Sequence, residues 1–229
     1  MPVALTLPQA IETVRGVLTD GDPGGAAGLR AAEYMESAGV EQVRAAVRLP
    51  PPLRQAHAAY VLAETTDQAE RLAAAGLPDD TAVALDGPGR AGLWAYRERH
   101  TEAIGAAGIP HKLDVTIPLA RIAAFRDELD LAVRAAAGPD CQVIVFGHLG
   151  AGNLHINLLG PDPGDEATDE AVLRLVAAHG GSISAEHGIG RAKARWLNLS
   201  RSPAEVAAMR GVKAALDPAG TLNPGVLLA

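Results

Sequence analysis

Polar and apolar side chains take strict turns along Lys112-Leu-Asp-Val-Thr-Ile117. Period two marks a strand with one face in a core. Leu113, Val115 and Ile117 are therefore expected inward, and Lys112, Asp114 and Thr116 on a polar face able to line a site. The same alternation returns downstream, where Leu154, Ile156 and Leu158 share one face while His155 and Asn157 point together the other way. With Val143–His148 before it, Leu154–Leu159 predicts a hairpin. Further strands are expected at Ala59–Glu64 and Thr81–Leu85.

Helical spacing occupies most of the rest. It predicts helices at Leu7–Leu18, Gly28–Ser37 and Gln42–Leu49, broken by Asp20-Gly-Asp-Pro-Gly-Gly25 and closed by Pro50-Pro51-Pro52. Later helices are expected at Asp67–Ala75, Ala91–Ala107, Pro118 to Ala136, Asp165–His179 and Pro203–Leu216, with Pro118 in a first turn where its missing N–H costs nothing. Strands mixed with helices around at least one hairpin give an α+β class with an antiparallel or mixed sheet. Two regions result: a helical N-terminal segment, 1–52, and a second unit, 53–229.

Composition narrows the class. The 229 residues are 48% hydrophobic and 21% charged but only 3% aromatic, so the core must be mostly aliphatic. A formal charge of -7, without a long basic run, argues against nucleic-acid or anionic-membrane surfaces. The single Cys141 cannot form an internal disulfide, and no signal-peptide-like start or membrane-length apolar run occurs. A soluble protein of a reducing compartment, cytoplasmic, is the expectation.

The chemistry gathers in two glycine-rich stretches. His148 and His155 bracket Leu149-Gly-Ala-Gly-Asn153. On one straight strand, residues seven apart would face opposite ways, so they can share an ion only if the chain reverses. A loop centred on Ala151 and Gly152 would make the imidazoles direct cross-strand neighbours, with Cβ atoms roughly 5 Å apart. Two neutral imidazoles and one carboxylate suit a catalytic Zn²⁺ or similar divalent ion with an open position. Glu186, between Gly180-Gly181 and Gly188-Ile-Gly190, is the best third ligand, which leaves its neighbour His187 as a general base with an ordinary pKa near ~6.5.

Other chemistries fit poorly. The glycines have the wrong order for a dinucleotide fingerprint and lead into a strand, and neither a phosphate loop nor a Gly-x-Ser-x-Gly elbow is present. Arg97 and Thr101, four apart on an expected helix, share a face and can clamp an anion together, with Lys112 nearby on the polar strand face. Each of these taken alone reads first as a solvated surface group.

Five segments carry a family resemblance. Leu93-Trp-Ala-Tyr-Arg-Glu98, Lys112-Leu-Asp-Val-Thr-Ile-Pro118, Phe146-Gly-His-Leu-Gly-Ala-Gly-Asn-Leu-His-Ile-Asn157, Gly181-Ser-Ile-Ser-Ala-Glu-His-Gly-Ile-Gly-Arg-Ala-Lys193 and Leu216-Asp-Pro-Ala-Gly-Thr-Leu-Asn-Pro-Gly225 resemble, in order, the C-terminal domain of FAD-linked oxidases of the D-2-hydroxyacid dehydrogenase group. The D-2-hydroxyglutarate type is nearest, beside D-lactate and glycolate dehydrogenases. The resemblance implies an antiparallel sheet with ferredoxin-like βαβ elements and flanking helices on one face. It implies that His148, His155 and Glu186 ligate a divalent metal, zinc foremost, and that His187 accepts the proton. Arg97, Thr101, Lys112 and Asn157 would bind a small anionic 2-hydroxy acid.

FAD would be held mostly by a flavin-binding domain or subunit outside this chain, with Asn223 returning toward it. A homodimer is also allowed. Where the family carries aspartate this chain has Ala151, which keeps a second reading open: a non-catalytic module that binds a metal and a hydroxy acid, or only a partner subunit. A metal-dependent hydrolase is a distant third.

Overall fold

The computed structural model describes residues 29–65 and 80–228, so the expected helices at Leu7–Leu18 and Asp67–Ala75 lie outside the described residues. Five strands, β1 (Leu29–Glu36), β2 (Ala59–Thr65), β3 (His111–Thr116), β4 (Gln142–His148) and β5 (Asn153–Leu159), form one sheet in the order β2-β1-β4-β5-β3. Every neighbouring pair is antiparallel. Because β3 and β4 both run against β5, they are parallel to each other with β5 between them. Helix α4 (Ile122–Ala137) connects them, which makes the split βαβ unit of a ferredoxin-like arrangement.

Alternation sends the two faces to different partners. Leu113, Val115, Val145, Leu154, Ile156 and Leu158 meet Phe125 and Leu129 of α4 and Val172, Leu173 and Val176 of α5 (Glu166–Ala178). On the opposite face, Met35, Tyr60, Ile144 and Phe146 pack with Val40 of α1 (Ser37–Val47), Tyr96 of α2 (Gly87–Glu98) and Ile104 of α3 (His100–Ala107). The α+β class and antiparallel sheet hold, but helices flank both faces rather than one. The second face is shared: apolar where α1 to α3 cover it, polar where β3, β4 and β5 carry Asp114, His148 and His155. A last helix, α6 (Pro203–Leu216), starts with a Ser202–Glu205 capping box and contributes only Val206 to the buried set.

Three expected elements are corrected. Leu29–Glu36, expected within a helix, is a strand. Its Leu, Ala, Glu and Met residues favour helix locally, but β2 and β4 satisfy both of its edges and Ala32 to Glu36 are buried. Tertiary pairing overrides propensity there. Thr81–Leu85 is not a strand: it belongs to no strand of the sheet among the described residues, and Val83 and Leu85 are exposed. The single helix expected over Ala91–Ala107 is two. It starts earlier, because Asp86 accepts the Gly89 N–H and Pro88 suits the first turn, and it is interrupted at Arg99. The expected boundary at residue 52 falls between α1 and β2, and strands on both sides of it share the sheet.

Candidate metal centre

The site begins at the β4–β5 hairpin. After His148 a 3-10 turn, Leu149–Ala151, leads to Gly152 in the left-handed region at φ 70°, and Asn153 pairs back with His148. Glycine is required at that position: a Cβ there would lie 2.2 Å from the Ile117 carbonyl oxygen. The turn closes earlier than a loop centred on Ala151 and Gly152 would. His155 therefore pairs with Phe146, and the two imidazoles are diagonal neighbours rather than direct ones. They still share a face, with ring centroids 5.4 Å apart in an edge arrangement. Ala151 stands exposed in the turn.

Glu186 joins them from the loop after α5. Its Oε1 lies 3.4 Å from His148 Nε2 and 3.6 Å from His155 Nε2. The remaining ring nitrogens face carboxylates: His148 Nδ1 is 2.9 Å from Glu33 Oε1, and His155 Nδ1 is 3.2 Å from Asp114 Oδ1. Each imidazole thus has a carboxylate behind it and its Nε2 directed at a shared point. Ligand atoms around a four-coordinate ion with bonds near ~2.1 Å are separated by about 3.4 Å, so the donor set fits a divalent metal such as Zn²⁺. Carboxylates behind metal-binding histidines are the usual device for fixing the tautomer. Burial, and then the Arg97 charge, push the His155 imidazole below its ordinary pKa, which favours the neutral form a metal needs.

A different grouping, Asp114, His155, Glu186 and His187, also brings ligand-type atoms within 4.8 Å of one another. Asp114 is better occupied otherwise. Its Oδ2 accepts the backbone N–H groups of Glu186 at 2.8 Å and His187 at 2.9 Å, while Oδ1 faces His155 Nδ1 at 3.2 Å and makes no hydrogen bond of good geometry among the described residues. Burial works against the Asp114 carboxylate, but those two donors and the charges at His187 and His155 outweigh it and hold its pKa below the ordinary value. The loop is stapled to β3 again by paired Thr116–Ser182 backbone bonds of 2.9 Å, and by Lys193 Nζ, which donates to the carbonyls of Asp114 at 3.0 Å and Ile183 at 2.8 Å. Burial lowers the Lys193 pKa.

His187 stands at the mouth of the site, its side chain 68% exposed and its ring stacked 5.7 Å from that of His155. Arg97 lies in the wall, its Nε 2.6 Å from Glu33 Oε2 and its guanidinium 4.8 Å above the Phe146 ring. Phe146 in turn touches the His155 ring at 5.1 Å. Thr101 is exposed on α3, beyond the break at Arg99, whereas the Arg97 side chain is largely buried. Lys112 is exposed on β3 opposite the buried Asn157, whose Nδ2 is 3.4 Å from the His155 carbonyl. Asn223 is exposed in a C-terminal turn at φ 46°, its carbonyl accepting from the Val226 N–H.

Two supporting carboxylates escape the sequence patterns. Asp114 was visible on the polar face of its strand, though not as the clamp on Glu186 and His187. Glu33 gave no such signal, because its segment reads as helix.

Comparison with known proteins identifies the family. The family model described as FAD linked oxidases, C-terminal domain, matches residues 9–227. A D-2-hydroxyglutarate dehydrogenase of Stutzerimonas stutzeri is 41% identical over 145 residues, covering 60% of this chain and 31% of that protein. The mitochondrial D-2-hydroxyglutarate dehydrogenase of Rattus norvegicus is 35% identical over 212 residues, covering 86% and 39%. The chain thus spans about a third to two fifths of the length of these relatives. Among solved structures, a 4-ethylphenol oxidase from Gulosibacter chungangensis aligns over 96% of this chain and 50% of its own at TM-score 0.58 and 18% identity, a likeness of fold. The chain belongs to the FAD linked oxidase C-terminal domain family.

Proposed function

We propose that this chain is the substrate- and metal-binding part of a flavin-dependent dehydrogenase that oxidises a D-2-hydroxy acid to the 2-oxo acid. The observation that carries the reading is the convergence of two carboxylate-backed imidazoles on Glu186. The names of the relatives favour 2-hydroxyglutarate over lactate or glycolate as substrate.

In this reading His148, His155 and Glu186 hold a divalent ion, zinc by preference. Bound there, the metal would supply Lewis acidity toward the oxygens of the acid, and FAD, held mostly by a further domain or subunit, would supply the hydride acceptor. His187 removes the hydroxyl proton, its exposed ring being free to approach substrate and then pass the proton to water. Arg97, Thr101, Lys112 and Asn157 hold the acid's carboxylates, and Asn223 faces the flavin side.

The test combines this chain with an FAD-loaded polypeptide that supplies the remaining portion of a relative. Added D-2-hydroxyglutarate with zinc should bleach the flavin absorbance. His148→Ala should abolish stoichiometric zinc uptake, whereas His187→Ala should keep zinc and lose bleaching. Zinc retained by the first variant would overturn the ligand assignment. A zinc-loaded wild-type pair that never bleaches would favour the non-catalytic module.

A further inference from the structure

Lys193 is partly buried and reaches back to the start of its own loop. Its Nζ donates to the carbonyl of Ile183, a wholly buried residue, at 2.8 Å and to that of Asp114 on β3 at 3.0 Å. The Asp114 carbonyl also accepts the Ala185 N–H at 3.3 Å, so each of its two lone pairs has a partner from the loop. With the Glu186 and His187 N–H groups on Oδ2, one strand residue is gripped by four donors from the loop. Three of the four are backbone groups that any side chain would bring. The fourth comes from the Lys193 side chain alone.

We infer that Lys193 is a positioning residue: by holding the carbonyls of Ile183 and Asp114 together it closes residues 183–193 into a clasp, and the clasp fixes where Glu186 and His187 stand against His148 and His155. The inference rests on the reading of Glu186 as a metal ligand and His187 as the base, although the clasp itself is observable without metal.

The loop needs such a closure. Between His187 and Lys193 it passes through Gly188 and Gly190, both at positive φ (79° and 57°), which add no side chain that could pack the turn in place. The Lys193 N–H meets the Ile189 carbonyl at 3.2 Å, which brings its side chain round toward β3. An ammonium suits the task, because three protons on one atom can serve two carbonyls that lie in different directions. Without it the Ile183 carbonyl loses this donor and the Asp114 carbonyl keeps only the longer Ala185 bond. The loop would then be free to carry Glu186 Oε1 away from the two imidazole nitrogens, 3.4 and 3.6 Å off.

The measurements are backbone amide exchange in the metal-free full chain and zinc titration by calorimetry. Lys193→Met keeps the length of the stem and removes its donors. Exchange should speed up at Ala185, Glu186 and His187 but not at Val145 or Ile156, and zinc affinity should fall about 10–100-fold. Lys193→Arg, which keeps charged donors, should lose less. Leu129→Ala, a cavity on the other face of the sheet, should lower the urea midpoint and leave zinc affinity unchanged. Wild-type zinc affinity in Lys193→Met would overturn the inference, as would an equal loss in Leu129→Ala. Faster exchange confined to those three amides, in a chain whose wild type takes up no zinc, would support the clasp while sinking the metal reading. If Lys193→Met does not fold, the intact chain still decides. Coupling is reciprocal, so zinc should slow proton exchange at the Lys193 ammonium, and an unchanged rate would overturn the inference.

Discussion

Asp114 holds Glu186 by its backbone rather than by its side chain: Oδ2 accepts the Glu186 N–H at 2.8 Å, and the next N–H, from His187, at 2.9 Å. One buried carboxylate thereby sets where both side chains leave the loop. Asp114→Ala should strand those donors and cost about 1–3 kcal/mol. The urea midpoint should fall, and amide exchange should speed up at Glu186 and His187 ahead of global unfolding. Unchanged protection at those two amides would count against the clamp.

A pH dependence is built into the far end of the same strand. His111 Nδ1 faces Asp169 Oδ1 and Nε2 faces the Asp162 carbonyl, both at 2.8 Å. Both partners accept, so both ring nitrogens must donate and the imidazolium is the satisfied form. Burial pulls the His111 pKa down, but the Asp169 carboxylate, the Asp162 carbonyl and the Asp165 charge more than offset it, leaving it raised. A raised value in the folded state means stability present in full below the unfolded value of about 6.5 and lost as pH rises through the folded one. The urea midpoint should therefore decline as pH rises above about 6.5, and Asp169→Asn should flatten that decline. Parallel profiles for wild type and variant would contradict the assignment.

Gly152 and Ala151 are neighbours with opposite tolerance. Gly152→Ala places a methyl 2.2 Å from the Ile117 carbonyl and forces φ 70° on an alanine, which should cost at least about 1–3 kcal/mol and weaken zinc uptake by displacing His148. Ala151→Asp, at an exposed position, should change stability by less than about 0.5 kcal/mol. Thermal unfolding of the two variants side by side checks both, and equal melting temperatures would refute the contrast.

What could be read from sequence follows physical rules visible in particular residues. β3 and β5 were legible because one face of each is apolar, so alternation survives in Leu113, Val115, Leu154 and Ile156. The clustering of His148, His155 and Glu186 was legible because they sit in short glycine-rich runs whose spacing limits the geometry. β1 was not, because Ala32 to Glu36 are buried on both faces and erase the alternation while favouring helix. The hairpin register was off because the turn packs Gly152 against the Ile117 backbone just past β3, a contact from a distant part of the chain. Glu33 was hidden by distance: it lies 115 residues before the histidine it touches.

That separation also has a meaning in time. During synthesis at about 5–20 residues per second, roughly 6 to 23 s pass between the appearance of Glu33 and that of His148, 115 residues later. β2 can close one edge of β1 early, but the edge that pairs with Phe146, Gly147 and His148 stays open until β4 is made. The nascent protein therefore carries an unpaired hydrophobic strand, with Tyr34 and Met35 on it, throughout that wait. For this chain, growth on the ribosome is the interval of greatest exposure to wrong partners, and completion of the histidine hairpin ends it.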